Sequence, residues 1–223
     1  MSREVFIGTL EESRRRFAGI AETARGPLRI AIPGGSAASS LLPALASAPL
    51  DWPHVEVFWV DERDVPADDP DSNARIAREI WLRRVPITPD AVHELRGDPA
   101  AYERLLIERC GRPPRLDLVL LGVGEDGHVA SLFPGHALLD ERERYVAALD
   151  DAPKPPPRRL TLTLPALAGA RRLVVYASGD GKAAAVREAI EDARSGLPLA
   201  RALRAVGDAT ILLDRGAASR LTG

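Results

Sequence analysis

His128 stands two residues after Asp126 in the run Gly122-Val123-Gly124-Glu125-Asp126-Gly127-His128, directly behind the apolar stretch 118–121. A carboxylate that close can fix the tautomer of an imidazole and raise its basicity, which suits general-base chemistry near neutral pH. Asp61 and Arg63 make a second pair, an acid and a forked donor behind another apolar stretch, suited to a polyol phosphate. Lys182 is a cation in the first turn of an expected helix, against the positive end of its dipole, a conflict that a bound anion resolves. Pro33-Gly34-Gly35-Ser36 lets backbone N–H groups approach an anion closely, with the Ser36 hydroxyl beside them. An ordinary tight turn with Ser36 as a helix N-cap explains that segment equally well. Together these groups fit a small phosphorylated, hydroxyl-rich substrate and acid–base chemistry.

Other chemistries fit less well. Gly122, Gly124 and Gly127 match the G-x-G-x-x-G fingerprint for a dinucleotide pyrophosphate, but Glu125 and Asp126 put two carboxylates in the turn that should receive it. The acidic cluster 140–143 also precedes the next expected strand, whereas a ribose-binding acid belongs at that strand's end. No G-x-S-x-G nucleophile elbow occurs, and the histidines at 54, 93, 128 and 136 form no H-E-x-x-H pair. His54, His93 and His136 lack a strand-end setting and read as structural, as does Cys110, which has no local histidine partner.

Strand ends and helix starts must hold these side chains. Residues 118–121 show no polar/apolar alternation, the mark of a parallel strand covered on both faces, and ligands collect outside the carboxyl ends of such strands. Further strands are expected over 28–32, 54–60, 145–149, 160–164, 172–177 and 209–213, and helices over 37–48, 76–84, 100–110, 183–194, 198–203 and 214–221. Phe6, Leu10, Ser13, Phe17, Ile20 and Ala24 recur at spacings of three and four and mark an amphipathic first helix, with Arg14, Arg15 and Arg16 on its solvated face. Glu62 and Asp64 are expected as salt-bridged rim residues, Asp71 or Ser72 as a helix cap, and 86–98 as a proline-punctuated connection. Prolines 155 to 157 stiffen the approach that carries Lys154, Arg158 and Arg159. The pattern predicts a single α/β domain over residues 1–223, doubly wound, its mostly parallel sheet flanked by helices, with a smaller mixed-sheet elaboration over 145–164. Strand order is beyond the sequence.

A chain of 223 residues can bury a sizeable core, and 28% charged with 45% hydrophobic residues is ordinary for a globular domain. The formal net charge of −2 argues against a general nucleic-acid or membrane binder. One cysteine excludes an intramolecular disulfide and a cysteine metal cluster. Glu4, Glu11 and Glu12 interrupt the N-terminal segment, which has no apolar core of signal-peptide length, and no run is long enough to span a bilayer. A soluble cytoplasmic protein is expected, monomeric or homodimeric, without nucleic-acid or membrane partners.

Pro33-Gly34-Gly35-Ser36, Val60-Asp61-Glu62-Arg63-Asp64-Val65-Pro66 with Asp71-Ser72-Asn73, and the Gly122 to His128 block with Ala130-Ser131-Leu132-Phe133-Pro134-Gly135 form one set of motifs. With Pro153-Lys154-Pro155-Pro156-Pro157, Arg159-Leu160-Thr161-Leu162-Thr163-Leu164 and Gly181-Lys182, they resemble the 6-phosphogluconolactonase family over nearly the whole chain. The glycine, acid and histidine block is shared in looser form with the glucosamine-6-phosphate isomerase/deaminase group, whereas Asp61-Glu62-Arg63 and the proline run look lactonase-like.

The resemblance implies an enzyme of the pentose phosphate pathway, without metal or cofactor, whose partner is a small sugar phosphate lactone. It would hydrolyse 6-phospho-D-glucono-1,5-lactone to 6-phospho-D-gluconate. By the same resemblance His128 is the general base activating water, Asp126 orients it, Asp61 and Arg63 line the pocket, and Gly34, Gly35, Ser36, Arg159 and Lys182 hold the phosphate. Arg63 and the backbone N–H groups of the turn from Gly124 to Gly127 are the candidates to face the oxyanion. The chain departs from the family pattern at Ala37-Ala38, which lose a hydroxyl donor, and at Val129, where a threonine is usual. Ser39 and backbone N–H groups are the expected substitutes. The rival readings are a sugar-phosphate isomerase or deaminase on the same fold, with a base beside C2 and a ring-opening acid, and a non-catalytic sugar-phosphate sensor. A sensor normally carries an added DNA-binding segment, for which the α/β pattern leaves no room.

Overall fold

The computed structural model describes residues 2–24 and 26–222; Met1, Arg25 and Gly223 lie outside them. In chain order the elements are β1 (Ser2–Ile7), α1 (Leu10–Glu22), β2 (Leu28–Ile32), α2 (Gly35–Leu45), β3 (Val55–Trp59) and β4 (Asp61–Arg63). Next come α3 (Asn73–Ile80), β5 (Val92–His93), α4 (Pro99–Cys110), β6 (Leu118–Gly122), β7 (Val146–Leu149) and β8 (Arg159–Leu162). The chain ends with α5 (Leu164–Ala168), β9 (Leu173–Ala177), α6 (Ala183–Glu191), α7 (Pro198–Ala205) and β10 (Asp208–Leu213).

Seven strands form one parallel sheet in the order β1-β10-β9-β6-β2-β3-β5. The adjacent central strands β6 and β9 read as continuous apolar runs, as in a sheet covered on both faces, and every residue of β9 is buried. The chain places β3 and β5 on one side of β2 but β6, β9 and β10 on the other. This reversal makes the carboxyl ends of β2 and β6 a topological switch point, where a crevice opens in such sheets. A Cβ added to Gly122 at the end of β6 would lie 3.2 Å from the Ala37 Cβ in α2, so the two strand-end turns face each other closely.

The elaboration is a separate antiparallel sheet, β4-β8-β7, rather than a mixed one. Its third strand comes from Asp61 to Arg63, which the sequence presents as a charged rim. Val60 joins the two sheets, donating its N–H to the Ile32 carbonyl (2.9 Å) while its own carbonyl accepts from Leu162 N (2.7 Å). The chain therefore passes from the large sheet into the small one at the mouth of the crevice.

Several expectations change. Phe6 belongs to β1, not to the first helix, which starts after Thr9 in a capping box with Glu12. The helical spacing of Phe6 survives as a tertiary contact, since the Arg16 guanidinium lies over its ring at 4.8 Å. Within 86–98 the two-residue β5 pairs with β3, too short to leave a periodic signal. Residues 215–220 form turns instead of a terminal helix, because the Asp214 carboxylate takes Ala217 N (2.7 Å) and also Gly179 N (3.0 Å) from the neighbouring loop. Cys110 is buried, and burial pushes its thiol up to about 12. Among the described residues no helix is long and apolar enough to cross a membrane.

Glu62 differs from its expected role as well. Asp64 does meet a cation, Arg158 at 3.6 Å, but among the described residues Glu62 has none. Strand alternation turns it away from Asp61 and Arg63, towards α3. There its carboxylate accepts the N–H groups of Asn73 and Ala74, both at 2.7 Å, and the Ser72 hydroxyl at 3.3 Å. Burial raises its pKa despite the backbone donors that favour the charged form. Ser72 is the N-cap of α3. Glu62→Ala would strand two buried N–H groups at about 1–3 kcal/mol each, less the relief of a buried charge, so urea unfolding is expected to show about 2–3 kcal/mol of lost stability. A midpoint equal to wild type would mean that water caps α3 as well as Glu62 does.

Candidate active site

The turn after β2 opens α2 with Gly34 as N-cap and Gly35 at a φ of +62°, a left-handed conformation that favours glycine. A Cβ on Gly34 would overlap the Asn73 side-chain amide, so this position also needs glycine for space. The first N–H groups of α2 have no partner within the helix and point towards the crevice with the dipole's positive end. Ser36 is not the N-cap; it sits exposed in the first turn. Ala37 and Ala38 are buried, and the Ser39 hydroxyl turns back to the Gly35 carbonyl at 3.2 Å, so Ser39 does not replace the missing donor.

Across the crevice, the turn after β6 closes on itself: Gly124 N donates to the His128 carbonyl (2.9 Å) and Gly127 N to the Gly124 carbonyl (3.0 Å). Any side chain at Gly124 would overlap the His128 ring. The glycines of the apparent dinucleotide fingerprint therefore make room for a histidine. No helix begins behind them, because 123–136 is turns plus a single bridge between the buried Val129 and Leu132. A pyrophosphate would find no helix N-terminus there.

His128 Nδ1 lies 2.5 Å from Asp126 Oδ1, and the ring packs against Phe133 at 4.8 Å between centroids. An ionised carboxylate only accepts, so Nδ1 carries the proton and Nε2 keeps a free lone pair. Burial pushes the His128 pKa below its ordinary value, the Asp126 hydrogen bond and charge oppose this, and the nearby Lys154 adds to it. Burial pushes the other way on Asp126, but the hydrogen bond from His128 and the Lys154 charge outweigh it and hold its carboxyl below the usual range. The result is a neutral, oriented base beside an ionised acid.

Asp61 is 5% exposed, with Oδ2 accepting from the Ser131 hydroxyl (2.7 Å) and Oδ1 near the Asn73 amide nitrogen (3.3 Å). Arg63, on the same face of β4, donates Nη1 to the Asp71 carbonyl at 2.7 Å. Arg159 donates Nε to the Pro156 carbonyl (3.0 Å) and Nη2 to those of Lys154 (2.9 Å) and Pro155 (3.3 Å). Its Nη1 makes only a long 3.5 Å contact with the Ser131 hydroxyl and an ion-pair contact of 3.9 Å with Asp61 Oδ2, so Nε and Nη2 are committed to the protein and Nη1 more loosely. Lys182, which stands as N-cap of α6, and Lys154 have no hydrogen bond from their ammonium groups among the described residues.

These groups enclose one cleft of about 170 Å³. It is lined by Gly34, Gly35, Ser36, Asp61, Arg63, His128, Arg159 and Lys182, with Asp126 behind His128. Asn73, Lys154 and Ala130 line it too. Asn73 and Ser131 carried no sequence signal beyond their place in a motif, because their partners are tertiary. Larger hollows lie beside α6 (about 590 Å³) and behind β8 (about 350 Å³), but neither contains His128 or a glycine turn from β2 or β6, so chemistry rather than volume selects the site.

Residues 3–211 match the model of the glucosamine-6-phosphate isomerases/6-phosphogluconolactonase family. The chain belongs to this family. The 6-phosphogluconolactonase of Rattus norvegicus is 40% identical, over 93% of this chain and 86% of the rat protein. The structure of 6-phosphogluconolactonase from Trypanosoma cruzi superposes with a TM-score of 0.86 at 28% identity, over 100% of this chain and 98% of the other. A monomeric glucosamine-6-phosphate deaminase also shares the fold, with a TM-score of 0.80 over 98% of this chain and 99% of that one. At 24% identity, that likeness speaks to the fold alone. The family thus frames two chemistries, between which the cleft's own side chains must decide.

The electrostatics of His128 can be read by NMR titration. Its midpoint is expected below the ordinary histidine value of about 6.5. Asp126→Asn removes the partner that raises it and should move the midpoint lower still, whereas Lys154→Met removes a cation and should move it up. Shifts of the opposite sign in either variant would disprove this ordering of causes.

Proposed function

We propose that the chain hydrolyses 6-phospho-D-glucono-1,5-lactone to 6-phospho-D-gluconate, the lactone-opening step of the oxidative pentose phosphate pathway. The observation that carries this reading is a neutral histidine of fixed tautomer opening into a cleft whose opposite wall is a helix N-terminus. A δ-lactone carbonyl is already electrophilic, so a positioned base and a site for the developing oxyanion suffice.

In this reading the phosphate rests on the N–H groups at Gly34, Gly35 and Ser36 with Lys182 beside them. Arg159 adds positive charge from the wall, its Nε and Nη2 already donating to backbone carbonyls. Holding the remote phosphate fixes the ring for attack. Asp61 and Arg63 line the space between phosphate and His128. His128 Nε2 takes a proton from water as its oxygen adds to the carbonyl carbon, and Asp126 stabilises the imidazolium that forms. The same proton then passes to the ring oxygen as the ester bond breaks. Every residue given a role comes from one chain, so a monomer and a homodimer would both carry complete sites.

The isomerase/deaminase reading needs a base beside C2 and a ring-opening acid. Asp61 is the carboxylate in the wall, and both its oxygens are engaged by Ser131 and Asn73, which favours hydrolysis.

Freshly generated 6-phosphogluconolactone should be converted well above its spontaneous rate; no acceleration would end the lactonase reading. His128→Ala should lower kcat by at least about 100-fold, the usual share of a general base, while 6-phosphogluconate still binds. Lys182→Ala should instead raise KM about 10-fold or more with kcat little changed, as loss of a charged hydrogen bond to the phosphate predicts.

A further inference from the structure

The cleft holds four cationic side chains, Arg63, Lys154, Arg159 and Lys182, and they are not equivalent. Arg159 gives Nε and Nη2 to backbone carbonyls and turns Nη1 towards Ser131 and Asp61. Arg63 gives Nη1 to the Asp71 carbonyl, and its Nε is buried without a partner among the described residues. Lys182 stands at the start of α6. Lys154 is the one at the reacting end: its ammonium lies 3.7 Å from Asp126 Oδ1, the same oxygen that holds His128 Nδ1.

Lys154 is half exposed, yet its backbone is fixed. Arg159 binds the carbonyls of Lys154, Pro155 and Pro156, and Ala152 N donates to the Pro157 carbonyl at 3.2 Å, closing the segment that carries the lysine. The contact with Asp126 is longer than a hydrogen bond, so the ammonium's three protons remain available. Of the backbone donors of the neighbouring turn, Gly124 N and Gly127 N bond within it and His128 N points to Asp126 Oδ1 at 3.3 Å, whereas Glu125 N and Asp126 N have no such bond among the described residues. Among the cations of the cleft, Lys154 is the one that lies beside both Asp126 and His128, where it can add full charge to what neutral backbone donors offer a developing oxyanion.

We propose that Lys154 is a further catalytic residue, whose ammonium faces the lactone carbonyl oxygen and stabilises the oxyanion formed as water adds. This rests on the lactonase reading. The water oxygen bonds to the carbonyl carbon while its proton goes to His128 Nε2, and the carbonyl π pair moves onto the oxygen facing Lys154. Collapse restores the C=O bond and breaks the bond to the ring oxygen, which takes the proton from His128. The new carboxylic acid then gives its proton to solvent, leaving His128 neutral again.

The test uses Lys154→Met in the intact chain, with kcat measured on the pH plateau so that a shifted His128 pKa does not contribute. The probe for binding is 1,5-anhydroglucitol 6-phosphate, which keeps ring and phosphate but has no oxygen at C1, used as a competitive inhibitor. Loss of an oxyanion donor predicts a fall in kcat of about 100-fold with Ki unchanged, the latter also showing that the site still folds. An unchanged kcat overturns the proposal, and so does a Ki that rises with KM, which would make Lys154 a phosphate anchor. A wild type that fails to accelerate lactone hydrolysis overturns the lactonase reading instead.

Discussion

The carboxylate of Asp61 is buried at the seam between the two sheets, and the site depends on how that charge is satisfied. An ionised acid removed from water is stable only with partners on each oxygen. Asp61 draws these from three separate segments: Ser131 from the loop beyond β6, Asn73 from the start of α3, and Arg159 from β8. Each partner then fixes something else. Asn73 fills the space that Gly34 leaves open, Ser131 also donates its N–H to the Thr161 hydroxyl at 3.2 Å, and Arg159 holds the proline segment. One buried charge thus sets the distance between the phosphate end and the histidine end.

The same economy governs the other charges. The cleft gathers several cations, but Arg159 is neutralised locally and serves as a brace, while Lys154 and Lys182 keep free donors at opposite roles in the proposed reaction. Burial raises the cost of protonating His128, Lys154 adds to it, and Asp126 returns part of it so that the imidazolium can form transiently. A base must be neutral at rest and charged for an instant. Partial compensation, from one hydrogen-bonded carboxylate and the more distant charge of Asp61, meets both needs, while Phe133 packs against the ring.

The central strands were legible because burial on both faces leaves uninterrupted apolar runs, and the glycine turns at their ends pointed to the crevice before strand order was known. Legibility failed where the deciding contact is distant. β1 was hidden because Phe6 sits at helical spacing from Leu10, and β4 because its three residues are all charged, with Asp61 and Glu62 buried and Arg63 half-buried, each for a tertiary reason. The residues expected around the phosphate and the base do gather in one cleft, but their division of labour was not readable. That Arg159 spends its donors on carbonyls of Lys154 to Pro156 follows from a fold-back of the chain, which leaves no trace in residue spacing.

A fold shared with a deaminase shows how little the backbone decides about the reaction. The strand-end crevice is common to the fold and therefore does not discriminate between the two chemistries. What discriminates is whether the wall carboxylate is free to take a proton from carbon. In this chain Asn73 and Ser131 occupy Asp61, and they can do so because α3 begins at Asn73 under the carboxylate of Glu62. Glu62, between the two pocket-lining residues and facing away from the cleft, thus places the side chain that holds Asp61. In the proposed reading, the availability of the wall carboxylate is governed from the far side of the strand, by the group that caps a helix.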